Sequence, residues 1–162
     1  MTKKITLTVN GVQVSGEVEA RMHLADFLRE RLRLTSIHLG CEHGVCGACT
    51  IFIDGAPARS CIALAATLDG ADIRTLEGMK DDPLMEQIKE SFHQEHGLQC
   101  GFCTPGMLVS SWDLLKRKGK IDEQQIRCDM SGNLCRCTGY QGIVRSIKAV
   151  ADTLPEVDNE NT

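Results

Sequence analysis

Eight of the nine cysteines in this chain fall into two sets of four. The first is Cys41-x4-Cys46-x2-Cys49, with Cys61 following it. The second is Cys100-x2-Cys103, with Cys135-x1-Cys137 further along. Any fold of the chain must gather each set at one point. Four thiolates at each of two points is the ligand demand of two [2Fe–2S] clusters. On that reading the chain carries electrons.

Disulfides are the competing use of so many cysteines, and they belong to oxidising compartments. The N-terminus reads MTKKITLTVNGVQV, which alternates apolar and polar residues and has no signal-peptide core. There is no twin-arginine stretch near the start and no membrane-spanning run, so no membrane insertion is expected. A cytoplasmic location follows as the default, and there a cysteine-rich pattern argues for metal. The net charge is −4, with acidic and basic residues mixed along most of the chain. No basic patch marks a nucleic-acid partner. Hydrophobic residues make up 42% of the chain but aromatics only 4%. Two domains of about 80 residues would each be marginal alone, and internal metal sites would help to hold them.

The expected order of elements is α+β. Residues 4–9 alternate with period two, Asn10-Gly11 is a hairpin turn signal, and a second alternating run starts at Val12. Leu24, Phe27, Leu28 and Leu32 recur at helical spacing, which predicts one amphipathic helix over residues 23–33. Residues 36–49 lack periodicity and form a loop. Residues 50–53 followed by Asp54-Gly55 read as strand and turn, and residues 72–76 as a further strand. The texture then changes. Leu84, Ile88 and Phe92 lie on one helical face after Pro83. Thr104 reads as a helix cap followed by Pro105, with Gly119 as the stop. A short helix is expected over residues 122–130, and a last one through Ile143, Ile147, Val150 and Leu154, ended by Pro155. The boundary is placed in residues 78–82, giving domains 1–78 and 79–162. Residues 156–162 are polar and acidic and are expected to fray.

The run Gly40-Cys41-Glu42-His43-Gly44-Val45-Cys46-Gly47-Ala48-Cys49 has the plant-type ferredoxin spacing, with a fourth cysteine further on. Its glycines let the backbone wrap tightly and present N–H groups to sulfur. Zinc favours paired C-x2-C units and fits poorly. A Rieske site would need a second Cys-x2-His, so His43 reads as a loop residue. A thioredoxin-like reading of Cys46-Gly47-Ala48-Cys49 leaves Cys41 and Cys61 unexplained. In the second set, Cys100-Gly101-Phe102-Cys103 precedes a helix start, whose partial positive charge favours thiolates. Cys135 and Cys137 are two residues apart, cannot share a helix face, and must lie on a turn. Cys128 is left over and reads as a small buried side chain. Met107 and Trp112 read as core. Arg136 either balances cluster charge or lies on the surface.

The segments Gly97-Leu98-Gln99-Cys100-Gly101-Phe102-Cys103-Thr104-Pro105-Gly106-Met107 and Gly132-Asn133-Leu134-Cys135-Arg136-Cys137-Thr138-Gly139-Tyr140 resemble the small iron–sulfur subunits of the xanthine oxidase (molybdenum hydroxylase) family. Residues 40–49 match that family's first cluster loop, and the likeness covers residues 4–152. It is similar to the small subunits of carbon monoxide dehydrogenase, N-heterocycle dehydrogenases and 4-hydroxybenzoyl-CoA reductase. The resemblance implies a β-grasp, plant-type ferredoxin-like domain followed by a four-helix domain. It implies a shallow [2Fe–2S] cluster on Cys41, Cys46, Cys49 and Cys61, and a buried one on Cys100, Cys103, Cys135 and Cys137. It further implies a molybdopterin (cytosine dinucleotide) centre in a large subunit and FAD in a medium subunit, assembled as a dimer of heterotrimers. By the same resemblance Gln99 and Cys137 contact the pterin. Read without it, Gln99 is a polar residue at a helix end. This chain shows no Gly-rich phosphate fingerprint of its own.

The implied role is oxidoreductase electron transfer. Substrate is oxidised at molybdenum, and electrons leave singly through the helical-domain cluster, then the N-terminal one, to FAD. No catalytic acid, base or nucleophile on this chain is required. The cysteine sets alone equally allow a free-standing two-cluster ferredoxin, or a colourless zinc-stabilised interaction module. Replacing Cys103 with Ser is expected to abolish one of two cluster signals and the turnover that depends on it; spectra and activity that both survive would refute the electron-carrier reading.

Overall fold

The computed structural model describes residues 1–157 of the chain. The alternating N-terminal run forms β1, Thr2–Val9, paired antiparallel with β2, Val12–Glu19, from Thr2 opposite Glu19 to Val9 opposite Val12. Asn10 and Gly11 close the hairpin with φ of 51° and 80°, the left-handed pair that matches strand twist. Asp54 and Gly55 repeat the device, at 50° and 80°, between β3, Thr50–Ile53, and β4, Ala56–Arg59. β5, Asp72–Arg74, lies between the hairpins, parallel to β1 and antiparallel to β3. The sheet order is β2-β1-β5-β3-β4. Strand β4 is not anticipated by the sequence pattern. Its Ala-Pro-Ala-Arg run does not alternate clearly, and Pro57 is tolerated because β4 is an edge strand.

One face of the sheet is covered by α1, Leu24–Asp26, which continues as a π-helical turn, Phe27–Arg31. The helix is shorter than the expected residues 23–33. Arg33 takes a φ of 60°, and the Leu34 N–H reaches back to the Leu28 carbonyl at 3.1 Å, which reverses the chain. Leu24, Phe27 and Leu28 pack with Ile5, Leu7, Ile51 and Ile73 in the first core. The loop that follows is held at its entry. The Glu77 carboxylate accepts from the Ser36 N–H at 2.9 Å, the Ser36 hydroxyl at 2.6 Å and the Thr75 hydroxyl at 2.5 Å. Burial raises the Glu77 pKa, but these donors outweigh it and hold the carboxyl below its ordinary range.

The second half is four helices: α2, Pro83–Gln94; α3, Thr104–Lys118; α4, Glu123–Asp129; α5, Gln141–Ala151. Asp82 caps α2 by accepting the Met85 N–H at 3.0 Å. The expected cap of α3 is corrected by one residue. The Cys103 carbonyl accepts the Met107 N–H at 3.0 Å, so Cys103 is the N-cap and Thr104 the first helical residue. Gly119, at φ 61°, ends α3 as expected. Helix α5 stops at Ala151, before the expected Pro155, although Leu154 still packs on the helical core. Just before the residues expected to fray, the Lys120 N–H donates to the Pro155 carbonyl at 3.1 Å, and the exposed Glu156 carboxylate lies 3.7 Å from the Lys120 amine. The rest of that expectation, residues 158–162, lies outside the described residues. Among the described residues no helix is long and apolar enough to cross a membrane.

Two sequence readings of core residues separate here. Met107 is buried, but Trp112 is only half-buried. Its ring meets Phe52 edge-on at 5.4 Å and the Arg74 guanidinium at 5.3 Å, while its indole N–H donates to Asp82 at 2.8 Å. Cys128 is exposed, not buried. Ile126 takes the core-facing position of the short α4, and two residues further on a helix points elsewhere. The first and second cores are distinct, yet Phe52 of strand β3 belongs to the second, beside Met79 and Met85. Phe52→Ala should therefore destabilise the docking of the two halves as well as the sheet, by roughly 3–5 kcal/mol. Chemical unfolding followed by tryptophan fluorescence of Trp112 measures this; a loss below about 1 kcal/mol would show that the halves do not depend on the contact.

Candidate metal centres

The first cysteine loop lies between α1 and β3. Gly44 and Gly47 adopt φ of 84° and 77°, which lets the chain fold back around its own sulfurs. Gly40 sits in a tight place: a β-carbon there would lie 3.2 Å from Cys46 Sγ and 3.3 Å from the Phe102 ring. The Cys46 N–H donates to Cys41 Sγ at 3.3 Å. Hydrogen bonds from the amides of Cys46 and His43 bring the Cys41 pKa down to about 6. Cys49 and Cys61 are buried, whereas Cys41 and Cys46 are half-buried. Burial first, and then its bond with Cys49, push the Cys61 thiol up to about 11. Cys41 thus lies beside Cys46, and Cys61 beside Cys49 with Cys41 also near. His43 turns its ring back to the Cys41 carbonyl and stays a loop residue.

The second set comes from two loops. One, residues 97–103, joins α2 to α3; the other, residues 133–140, leads into α5. They enclose a cavity of about 300 Å³ lined by all four thiols, with small or apolar walls from Gly40, Ala48, Phe102 and Leu134. Cys137 and Cys100 are 3.4 Å apart at sulfur. The Cys103 thiol, pushed up to about 12 by burial and then by Cys135, forms the other pair. Burial also raises Cys135, but the Thr138 hydroxyl at 3.2 Å and the Thr138 N–H at 3.5 Å donate to its sulfur and lower its pKa overall. The Cys135 N–H donates to the Tyr140 hydroxyl at 3.0 Å. Tyr140 itself holds a left-handed φ of 69° at the start of α5, a strained conformation for a non-glycine residue.

The donor chemistry of both sites fits a two-iron cluster. Such a cluster takes two thiolates on each iron, so its ligands come in pairs. Among the described residues no three His, Cys, Asp or Glu side chains are arranged to hold a single metal ion. Backbone and hydroxyl donors face the sulfurs, as reduction to a more negative cluster requires.

The structure differs from one implication of the resemblance. The helical-domain set is the more open of the two within this chain: Cys100 and Cys137 are exposed, Cys103 is half-buried and only Cys135 is buried. Gln99 is exposed beside Cys100, and Arg136 is exposed at the rim of the cavity. The sequence pattern gives no role to Thr138, Tyr140 or Asn133. A hydroxyl three residues after a cysteine on a tight loop was the available signal for Thr138.

Residues 7–84 match the model of the 2Fe-2S iron-sulfur cluster binding domain, and residues 75–148 that of the [2Fe-2S] binding domain. The chain is 53% identical to the caffeine dehydrogenase subunit gamma of Pseudomonas sp. strain CBB1, over 92% of this chain and 91% of that one. The chain belongs to the small iron–sulfur subunits of the xanthine oxidase family. It is 49% identical to the nicotine 6-hydroxylase small subunit of Paenarthrobacter nicotinovorans, covering 98% of this chain and 93% of that one. A chain of the crystal structure of quinoline 2-oxidoreductase from Pseudomonas putida 86 superposes with a TM-score of 0.87 and 47% identity, covering 94% and 95%. The protein is accordingly an electron-transfer subunit of a molybdenum hydroxylase, an oxidoreductase with two [2Fe–2S] domains. Its relatives are named as subunits of larger enzymes, and molybdopterin and FAD bound on partner subunits are typical of the family.

Proposed function

We propose that Cys41, Cys46, Cys49 and Cys61 ligate one cluster, and Cys100, Cys103, Cys135 and Cys137 the other. The division at 78/79 goes with this reading, since Met79 is buried in the helical core while Ile73 belongs to the sheet core. The partners are a large molybdopterin-binding subunit and a medium FAD-binding subunit, assembled as a dimer of heterotrimers in the cytoplasm. Gln99 and Cys137 face the pterin, a cytosine dinucleotide form. The observation that carries this orientation is the openness of the second set. Cys100 and Cys137 reach the surface among exposed Leu98, Phe102, Leu134 and Tyr140, an apolar surround that calls for a partner. A free ferredoxin would leave that surround in water.

When bound, the clusters supply one-electron storage at two fixed points. The chain's own residues do the rest. The amides of Cys46 and His43 and the Thr138 hydroxyl offer hydrogen bonds to thiolate sulfur, which stabilise the more negative, reduced state. Phe102 and Leu134 give the second cavity apolar walls. The substrate binds elsewhere; relatives named for caffeine, nicotine and quinoline support a nitrogen heterocycle.

The test is metal analysis of the native complex with its co-purifying chains. Iron in both sites, molybdenum, flavin and two larger partners are the expected result. Iron without molybdenum or partners would favour a free ferredoxin, and zinc without iron would sink the assignment. A second measurement addresses a single residue. Thr138→Val should lower the potential of one cluster only, by roughly 40 mV for each ~1 kcal/mol of hydrogen bonding lost by the reduced state. Redox titration of the two signals reads this directly; an unchanged or raised potential would remove Thr138 from the role.

A further inference from the structure

The two cysteine loops meet at one peptide. The Gly47 carbonyl accepts the Thr50 N–H at 3.2 Å, the Thr50 hydroxyl at 2.6 Å and the side-chain N–H of Asn133 at 3.2 Å. Asn133 is 4% exposed, and its other end accepts the Ser110 hydroxyl at 3.0 Å. Its amide therefore spans the two halves with both donor and acceptor engaged. From the outer side, half-buried Arg59 donates to the Gly132 carbonyl at 2.6 Å and to the Thr50 hydroxyl. Between these two side chains, the Leu134 N–H donates to the Cys46 carbonyl at 2.8 Å.

There is no slack at this junction. A β-carbon on Gly47 would lie 2.7 Å from Asn133 Nδ2, and one on Gly106 would lie 2.2 Å from the Gly47 carbonyl oxygen. Neither Asn133 nor Arg59 belongs to the hydrophobic core of its own half. Burying an amide is costly unless both its ends are bonded, and here one of those bonds is made only across the junction. Asn133 stands two residues before Cys135, and Gly47 directly follows Cys46, so a shift at this amide passes straight into a cysteine of each set.

We propose that Asn133 and Arg59 are positioning residues that fix the separation and relative orientation of the two [2Fe–2S] sites. The proposal rests on the ligand reading above. Moving one electron between the sites makes and breaks no bond and moves no proton; one site is oxidised and the other reduced. Its rate is governed by separation and intervening contact. Such a transfer weakens steeply with distance, so a shift of the junction slows it. Arg59, anchored on Thr50 and reaching across to the Gly132 carbonyl on one side, and a buried amide on the other hold the junction against rocking in either direction.

The experiment uses the purified complex with its partner subunits, reduced with dithionite and examined by low-temperature EPR. Two cluster spins held at fixed separation split one another's signals. Asn133→Ala and Arg59→Ala are each expected to keep full iron content and both signals, while the splitting shrinks or smears and electron equilibration between the sites slows in rapid-reduction kinetics. Arg59→Lys, which keeps one donor, should recover part of both. A merely structural role would lower thermal stability and leave the splitting as it is, and that outcome at full iron content overturns the proposal. If Asn133→Ala loses iron, Arg59→Ala decides by the same splitting. A wild-type complex without two cluster signals would instead overturn the ligand reading, and this proposal with it.

Discussion

The contact on which the molecule depends is the seating of the Cys46–Gly47 peptide group and its neighbouring carbonyl against residues 132–134. Both carbonyls accept hydrogen bonds from the other half of the chain, through Leu134 and Asn133, and the Gly47 carbonyl accepts from Thr50 as well. This docking lets a loop without secondary structure stay ordered, because buried carbonyls without donors would oppose it. It also brings Gly47 so close to Gly106 that α3 can start only where no side chain intervenes. The remaining junction contacts, Phe52 in the helical core and Trp112 between Arg74 and Asp82, extend the same interface outward.

Around this junction the thiols are graded by their donors. Cys41 lies under two amides and is brought down, while Cys61 and Cys103 lie in apolar surroundings beside another thiol and are pushed up. In metal-free protein the four sulfurs of a set are therefore unequal. Metal binding would favour the thiolate of each, and the proton release this entails links assembly to pH. The openness of Cys100 and Cys137 shows that burial of the second site is not a property of this chain. It has to come from whatever covers Leu98, Phe102, Leu134 and Tyr140.

Much of the fold was legible because local chemistry dictates it. Asn10-Gly11 and Asp54-Gly55 are turn pairs whose left-handed φ values allow little else. The starts of α2 and α4 are written in Asp82 and Asp122, whose carboxylates accept the Met85 and Gln125 N–H groups. Errors fell where tertiary context overrode the pattern. Strand β4 exists because β3 offers it an edge, not because Ala56 to Arg59 prefers extension. Helix α1 ends early because Leu34 reaches back over Arg33, with no glycine to announce the turn. Free cysteine favours burial, but on α4 the core-facing place belongs to Ile126 and Cys128 is exposed.

The sequence by itself determined the two sets of thiols, their cluster-type spacing and the family resemblance, because ligand spacing is a property of the covalent chain. It also determined the glycines that let the first loop wrap. Only the tertiary structure decided that Cys100 lies against Cys137, which thiols reach the surface, and that the parallel β1–β5 pairing joins the two hairpins into one sheet. Those facts depend on contacts between residues far apart in the chain, such as Asn133 with Gly47, and no local pattern encodes them.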